Sequence, residues 1–561
     1  MMQECRLLVE NLTISFSKSE NKSVHNFSFS LKKGETLAIV GESGSGKSLT
    51  ALSLIGLLPV SAKWIGNIFF RSSDERVFEL QTENDWKPLR GKEIGIVFQE
   101  PMNALNPVMK IGEQLFESIQ KHKRLSAEDA KKNSLDWLTK VQLPIPEAMW
   151  HRYPHELSGG QRQRVMIAMA MCNNPSLLIA DEPTTALDAT VQKEIIALIK
   201  DLQVQSGASL IFITHDLALA ASIATNVAVM FRGECVECGS AKKIFQTPVH
   251  PYTQALIACR PSPEHKGKPL PTVADLLHSS TRSNQNATKT LQAKMVDTES
   301  EEPLLKVKDL KVWFSAEKSW NGRTKSYFKA VEDVSFSLKR GEVLGLVGES
   351  GCGKSTISRA LMGLIPLHSG QIFFEGKDLA HQSTDEWRET RRHIQMIFQD
   401  PFSSLNPRMT VGDMLMEPLR VHQIVPVHEL KNEALRLLSL VQLPPDSLIR
   451  YPHQFSGGQR QRLGIARALA MRPKLLICDE SVSALDVSVQ AQILNLLKEL
   501  QSQLGLSYLF ISHDLSVVYY ISDSVMVMRT GKIVEKGSSL DVLQHPKDPY
   551  TESLVAAIPK L

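Results

Sequence analysis

Two stretches of this sequence have the residue types and spacing to hold a polyphosphate. Gly41, Gly44, Gly46, Lys47 and Ser48 make one GxxxxGK[ST] run; Gly348, Gly351, Gly353, Lys354 and Ser355 make another. Glycines let backbone N–H groups curl around phosphate oxygens at a helix N-terminus. The lysine can reach terminal phosphates, and the serine hydroxyl can hold Mg2+. Further along each half, an apolar run ends in two acids, Asp181–Glu182 and Asp479–Glu480. An aspartate at a strand end can support Mg2+, often through water, and the adjacent glutamate can polarise an attacking water. A third run, Ser158, Gly159, Gly160, Gln161 and again Ser456, Gly457, Gly458, Gln459, lies 23 residues before the aspartate in both halves. It offers a hydroxyl and exposed amides at a second anion-binding helix end. A histidine, His215 or His513, follows 34 residues after each aspartate.

These groups need elements to position them, and the chain writes those elements twice. RYPHELSGGQRQR at Arg152 returns as RYPHQFSGGQRQR at Arg450, and VFQEPMNALNP at Val97 as IFQDPFSSLNP at Ile397. Offsets between matching motifs run only from 298 to 307 residues, so the halves differ by small insertions. Short β-rich runs (TLAIV, GIVFQ, SLLIADE, SLIFITH) alternate with helical segments, which predicts an α/β fold with a largely parallel sheet. Residues 262–303 are polar and rich in Ser, Thr, Asn and charge. They read as a flexible linker between domains at 1–261 and 304–561.

Composition narrows the class. The 561 residues carry 64 Lys+Arg against 60 Asp+Glu, a formal charge of +4 that is far from a nucleic-acid-binding footprint. At 42% apolar and 22% charged residues, the chain is that of a folded globular protein. Its longest greasy stretch, Ala51 to Val60, is about half of the roughly 20 residues a spanning helix requires. The N-terminus has no apolar signal core, and seven scattered cysteines fit reduced thiols in the cytosol. Cys235 and Cys238 form a single CxxC without a second pair, so no zinc site is expected.

The order of phosphate loop, Gln99 or Gln399, SGGQ, acidic pair, TALD or SALD and histidine resembles the nucleotide-binding domains of ABC transporters, in both halves. The resemblance implies two tandem P-loop ATPase domains, each with a helical signature subdomain. By matching position, Phe16 and Phe314 stand for the aromatic residue that stacks on adenine. Gln99 and Gln399 stand for the residues that sense Mg2+ and the attacking water, Asp188 and Asp486 for aspartates that communicate across the dimer, and His215 and His513 for the γ-phosphate contacts. In the family each ATP is clamped between one half's phosphate loop and the other half's SGGQ. RYPH before the signature, with HPYTQAL at His250 and DPYTESL at Asp548, resembles the peptide-importer branch, the first half its D-type ATPase and the second its F-type. The fused order is most similar to the ATP-binding subunits of glutathione importers, with other short peptides as the alternative cargo. That implies two transmembrane permeases, an extracytoplasmic binding protein and a place on the cytoplasmic face of the inner membrane. An iron–sulfur cysteine run found in some relatives is missing, so no cluster is expected. A soluble twin-ABC translation factor is the remote alternative, against which stand the neutral-polar linker and the importer tails.

Overall fold

The computed structural model describes residues 5–16, 22–185, 187–279, 302–318, 324–379, 382–400, 404–483 and 485–558. They divide into two compact units, residues 5–258 with 273–279 and residues 259–272 with 302–558.

In the first unit the strands are β1 (Cys5–Phe16), β2 (Lys22–Lys32), β3 (Thr36–Gly41), β4 (Ala62–Arg71), β5 (Val77–Glu79), β6 (Ile94–Val97), β7 (Leu177–Asp181), β8 (Ser209–Thr214), β9 (Asn226–Phe231) and β10 (Glu234–Ser240). One sheet, ordered β2-β1-β4-β5, is antiparallel. The other, ordered β10-β9-β3-β8-β7-β6, is parallel except for the edge hairpin β9–β10. Strands β3, β7 and β8 are buried along their whole length, as expected of parallel strands covered on both faces. Their side chains alternate between two cores. Leu178, Ala180, Leu210 and Phe212 pack with the helices Ile111–His122, Ala127–Lys140 and Gly159–Met171. Leu177, Ile179, Ile211 and Ile213 pack with the antiparallel sheet.

The second unit repeats this plan. Its antiparallel sheet orders β12-β11-β14-β15 from β11 (Leu305–Lys318), β12 (Thr324–Leu338), β14 (Ser369–Phe374) and β15 (Lys377–Asp378). Its mainly parallel sheet orders β16-β17-β18-β13-β19-β20 from β13 (Val343–Val347), β16 (Ile394–Ile397), β17 (Leu475–Asp479), β18 (Ser507–Ser512), β19 (Ser524–Arg529) and β20 (Lys532–Ser538).

The stretch expected to be a flexible linker is structured where it begins. Residues 262–272 belong to the second unit, and Val273–Ser279 forms a helix of the first. Polarity of composition concealed two buried apolar anchors, Leu270 at 2% and Val273 at 7% exposure. The rest of that stretch, 280–301, lies outside the described residues. No helix among the described residues is long and apolar enough to cross a membrane.

Candidate active site

Three neighbouring strands deliver the reactive groups. β3 ends at Gly41, β8 at Thr214 and β7 at Asp181, and the register pairs Val40 with Thr214 and Asp181 with Ile213. The three C-terminal ends are therefore level, the place where an open α/β sheet puts its ligands. In the second unit Val347 pairs with Ser512 and Asp479 with Ile511, giving the same arrangement.

The phosphate loop runs from the end of β3 into the helix Lys47–Leu54. Gly46 stands at that helix's N-cap with φ +103°, and a Cβ there would lie 2.6 Å from the Ser23 carbonyl oxygen. Gly353 has φ +112° and a Cβ would lie 2.4 Å from the Ala330 carbonyl oxygen. Only glycine combines that backbone conformation with that approach. Lys47 is 4% exposed, and its Nζ folds back across the loop to donate to the carbonyls of Gly41 (2.7 Å) and Glu42 (2.8 Å). Lys354 does the same with Gly348 (2.7 Å) and Glu349 (2.8 Å). Each loop is thus closed into a ring with an ammonium at its rim.

Ser48 Oγ donates to Asp181 Oδ1 at 3.1 Å, and Ser355 Oγ to Asp479 Oδ1 at the same distance. Burial raises the Asp181 carboxyl to about 6, partly opposed by the Ser48 hydrogen bond and helped by the neighbouring Glu182 charge. Asp479 is raised for the same first reason. A hydroxyl and a carboxylate this close are hard oxygen donors that fit Mg2+, which takes one or two protein ligands and fills its octahedron with phosphate and water.

The glutamates are held differently. Burial opposes the charge of Glu182, but a hydrogen bond from His215 and the charges of His215 and Lys47 hold it down at about 2. His215 Nδ1 lies 3.3 Å from Glu182 Oε2, to which Gln99 Nε2 donates at 3.0 Å and Thr185 Oγ1 at 2.9 Å. In the second unit His513 Nδ1 is 3.4 Å from Glu480 Oε2, and Gln399 Nε2 donates to it at 2.9 Å. Glu480 is again held below the ordinary range against its burial, by His513 and Lys354. Gln99 and Gln399 thus meet the glutamates directly. Both glutamates have left-handed backbones, φ +46° for Glu182 and +48° for Glu480. Such a conformation costs a non-glycine residue about 1–3 kcal/mol.

The signature residues make hydrogen bonds of their own. Ser158 caps the helix Gly159–Met171 in a reciprocal box with Gln161: Gln161 N donates to Ser158 Oγ at 3.3 Å and Ser158 N to Gln161 Oε1 at 3.0 Å. Ser456 and Gln459 repeat it at 3.4 and 3.1 Å. A Cβ on Gly160 would lie 2.7 Å from Val191 Cγ1, and one on Gly458 2.3 Å from Val489 Cγ1. The second glycine therefore serves helix packing, while Gly159 and Gly457 remain exposed. Asp188 caps the helix Ala189–Ser206 by accepting from Val191 N at 3.0 Å. Phe314 is 42% exposed and pairs with Phe328; Phe16 ends β1 opposite Ala62.

Sequence reasoning missed one set of contacts. The tail tyrosines reach the phosphate loops: Tyr252 OH accepts from Glu42 N at 3.3 Å, and Tyr550 OH from Glu349 N at 3.1 Å. The signal was present in the repeated HPYT and DPYT, but nothing local says what such a tyrosine touches.

Residues 24–185 and 331–483 match the ABC transporter family, and residues 236–286 and 534–561 match the oligopeptide/dipeptide transporter C-terminal region. The chain is 47% identical over 569 residues to the "Glutathione import ATP-binding protein GsiA" of Pectobacterium atrosepticum, covering 100% of this chain and 90% of that one. It is 48% identical over 560 residues to the protein of the same name from Escherichia coli K12, covering 99% and 89%. Among solved structures, a dimeric ATP-binding cassette in a post-hydrolysis state with ADP and phosphate matches at 26% identity and TM-score 0.38, covering 42% of this chain and 98% of that one. The chain belongs to the ATP-binding proteins of the ABC transporter family and is an ATPase with two such domains.

Proposed function

We propose that this ATPase drives an importer that carries glutathione across the bacterial inner membrane. The observation that carries the reading is the duplicated constellation of lysine, serine–aspartate pair, glutamate and histidine at level strand ends, in a chain nearly half identical throughout to glutathione-import subunits. The oligopeptide/dipeptide transporter tail region favours dipeptides or oligopeptides as the second reading of the cargo.

ATP lies with its β- and γ-phosphates in the ring of Gly41–Ser48 or Gly348–Ser355, where Lys47 or Lys354 exchanges loop carbonyls for phosphate oxygens. Phe16 and Phe314 offer a ring to the adenine. Mg2+, held by Ser48 and Asp181 or by Ser355 and Asp479, would neutralise charge on the phosphates. Gln99 and Gln399, which donate to the two glutamates, would sense that ion and the attacking water. Glu182 and Glu480 stay ionised and orient the attacking water, whose proton they accept as its oxygen bonds to the γ-phosphorus. The bond to the bridging oxygen breaks, leaving ADP and phosphate. His215 and His513, each touching its glutamate, contact the γ-phosphate. Ser158–Gln161 and Ser456–Gln459 present capped helix N-termini to the phosphates.

The partners of this reading are two permeases and an extracytoplasmic binding protein, with the ATPase on the cytoplasmic face. A groove of about 780 Å³ in the second unit, lined in part by Ile397 and Phe398 just before Gln399 in the chain, supports permease docking. Arg388, Arg391, Arg467, Met396 and Phe398 line it, suiting a short helix with apolar and acidic side chains.

Uptake of labelled glutathione and of labelled di- and tripeptides by intact cells tests the reading, wild type against Glu182→Gln with Glu480→Gln. The double variant should lose about 10²–10⁴-fold in ATP turnover, as for a lost general base, and lose glutathione uptake selectively. Loss of peptide uptake with glutathione uptake intact would move the cargo to the second reading. Cargo uptake independent of both glutamates would overturn the transport role.

A further inference from the structure

Residues 259–272 follow the first unit's helix Pro251–Ala258 in the chain but are built into the second unit. Lys266 anchors them. Its Nζ donates to the carbonyls of Tyr519 (2.8 Å) and Ser522 (2.6 Å) and also meets Ser539 Oγ. Those carbonyls close the helix Leu515–Ile521 at its C-terminal end, where backbone oxygens lack helical donors and the dipole favours a cation. The same ammonium stands 4.9 Å from the centre of the Tyr519 ring. Leu270 is gripped on both backbone groups by Asn495, its N donating to Oδ1 at 2.9 Å and its carbonyl accepting from Nδ2 at 2.8 Å. Tyr520 OH donates to the Lys268 carbonyl at 3.0 Å.

The first half has no such receptor. At the constant offset of 298 residues that relates His513 to His215, the positions of Asn495, Tyr519, Tyr520, Ser522 and Ser539 are Ala197, Ala221, Ser222, Ala224 and Ala241. The amide, both rings and the hydroxyl that meets Lys266 are replaced by small side chains. The helix capped in this way starts two residues after His513 and takes its own N-cap from Asp514, whose Oδ1 accepts from Ser516 N at 2.8 Å.

We infer that residues 259–272 are a latch for which the second half alone carries the receptor, and that the latch holds the His513 loop in place through the helix Leu515–Ile521, with no counterpart at His215. Lys266 and Asn495 are positioning residues in this arrangement. The inference about the loop rests on the reading of the two histidines as γ-phosphate contacts. Each nucleotide site then has its own stiffness, and the join between the two domains is itself part of the second site's support.

Hydrogen exchange on the full chain tests this, with and without Mg-ATP, in the Glu182→Gln, Glu480→Gln background so that nucleotide persists. Adding Lys266→Ala and Asn495→Ala should speed exchange in Leu515–Ile521 about tenfold while leaving Leu217–Ile223 unchanged, the scale expected when a few hydrogen bonds holding one helix are lost. ATP should protect the His513 loop in the background protein and fail to do so in the latch variant, with protection at the His215 loop retained. Lys266→Arg, which keeps donors for the carbonyls, should restore most of it; Tyr520→Phe, which removes one hydroxyl, should weaken the latch without disturbing packing. Unchanged exchange in Leu515–Ile521 would overturn the latch. Equal effects on both histidine loops, or on neither, would overturn its selectivity. ATP protection missing at both loops in the background protein would instead overturn the histidine reading, leaving the docking measured by the nucleotide-free arm.

Discussion

Asp181 and Glu182 are adjacent in the chain yet are pushed to opposite sides of the ordinary carboxyl range, to about 6 and about 2. The aspartate ends β7 with the Ser48 hydroxyl and the Lys47 charge too weak to offset its burial, whereas the left-handed glutamate is met by His215, Gln99 and Thr185. Burial thus makes ionised Asp181 a burden on the nucleotide-free protein. Between pH 3.8 and 6 the folded chain keeps a proton that the unfolded chain has lost, so the penalty is complete above pH 6 and fades as pH falls toward 3.8. Asp181→Asn should therefore stabilise the nucleotide-free protein at pH 7.5 by on the order of 2–3 kcal/mol, and give no gain near pH 4. Thermal unfolding in the presence of a chelator, at both pH values, measures this. The residue types at this site were legible in the sequence. The opposed environments were not, because they follow from a backbone turn and from a histidine 33 residues downstream of Glu182.

At the scale of elements, the tail helices are tied to the nucleotide site. Tyr252 is fully buried, stacks on Phe231 at 4.1 Å between ring centres, and offers its hydroxyl to the first turn of the phosphate loop. Tyr550 does the same in the second unit beneath Arg529. The tails are steadied in turn by Glu237, which accepts from Val249 N and His250 N, and by Glu535, which accepts from Lys547 N and Asp548 N. Tyr252→Phe with Tyr550→Phe keeps the rings and deletes the hydroxyls that accept from Glu42 N and Glu349 N. Each hydroxyl is expected to contribute about 1 kcal/mol to the loop's bound geometry, so KM for ATP should rise roughly fivefold with little change in Tm. Steady-state ATP hydrolysis and thermal unfolding of the double variant separate those two effects. Periodicity and motif spacing located the helices and the loop, but a contact spanning 210 residues between Glu42 and Tyr252 has no local signature.

At the scale of the whole molecule, each unit carries its own lysine, aspartate, glutamate, glutamine and histidine in matching geometry. The double glutamate variant should accordingly bind two Mg-ATP per chain. Equilibrium dialysis with labelled nucleotide checks it, and one equivalent would mean that a half has lost binding competence. Equivalence ends at residues 259–272, which belong to the second unit, where Lys266 donates to the Tyr519 and Ser522 carbonyls. Polar composition hid this segment, because its anchors are one lysine, one leucine and backbone groups rather than a run of apolar residues.

The sequence alone determined the family and the duplication, and it named the side chains proposed for the two sites. Phosphate chemistry demands glycine, lysine, serine and acids at set short spacings, and such local demands are written locally. Tertiary structure decided what those side chains experience. It set the three strand ends level, turned both glutamates through a left-handed backbone, brought a tail tyrosine under each phosphate loop and seated the start of the linker on one half. These outcomes depend on burial and on partners far away in the chain, which residue types and spacing do not encode.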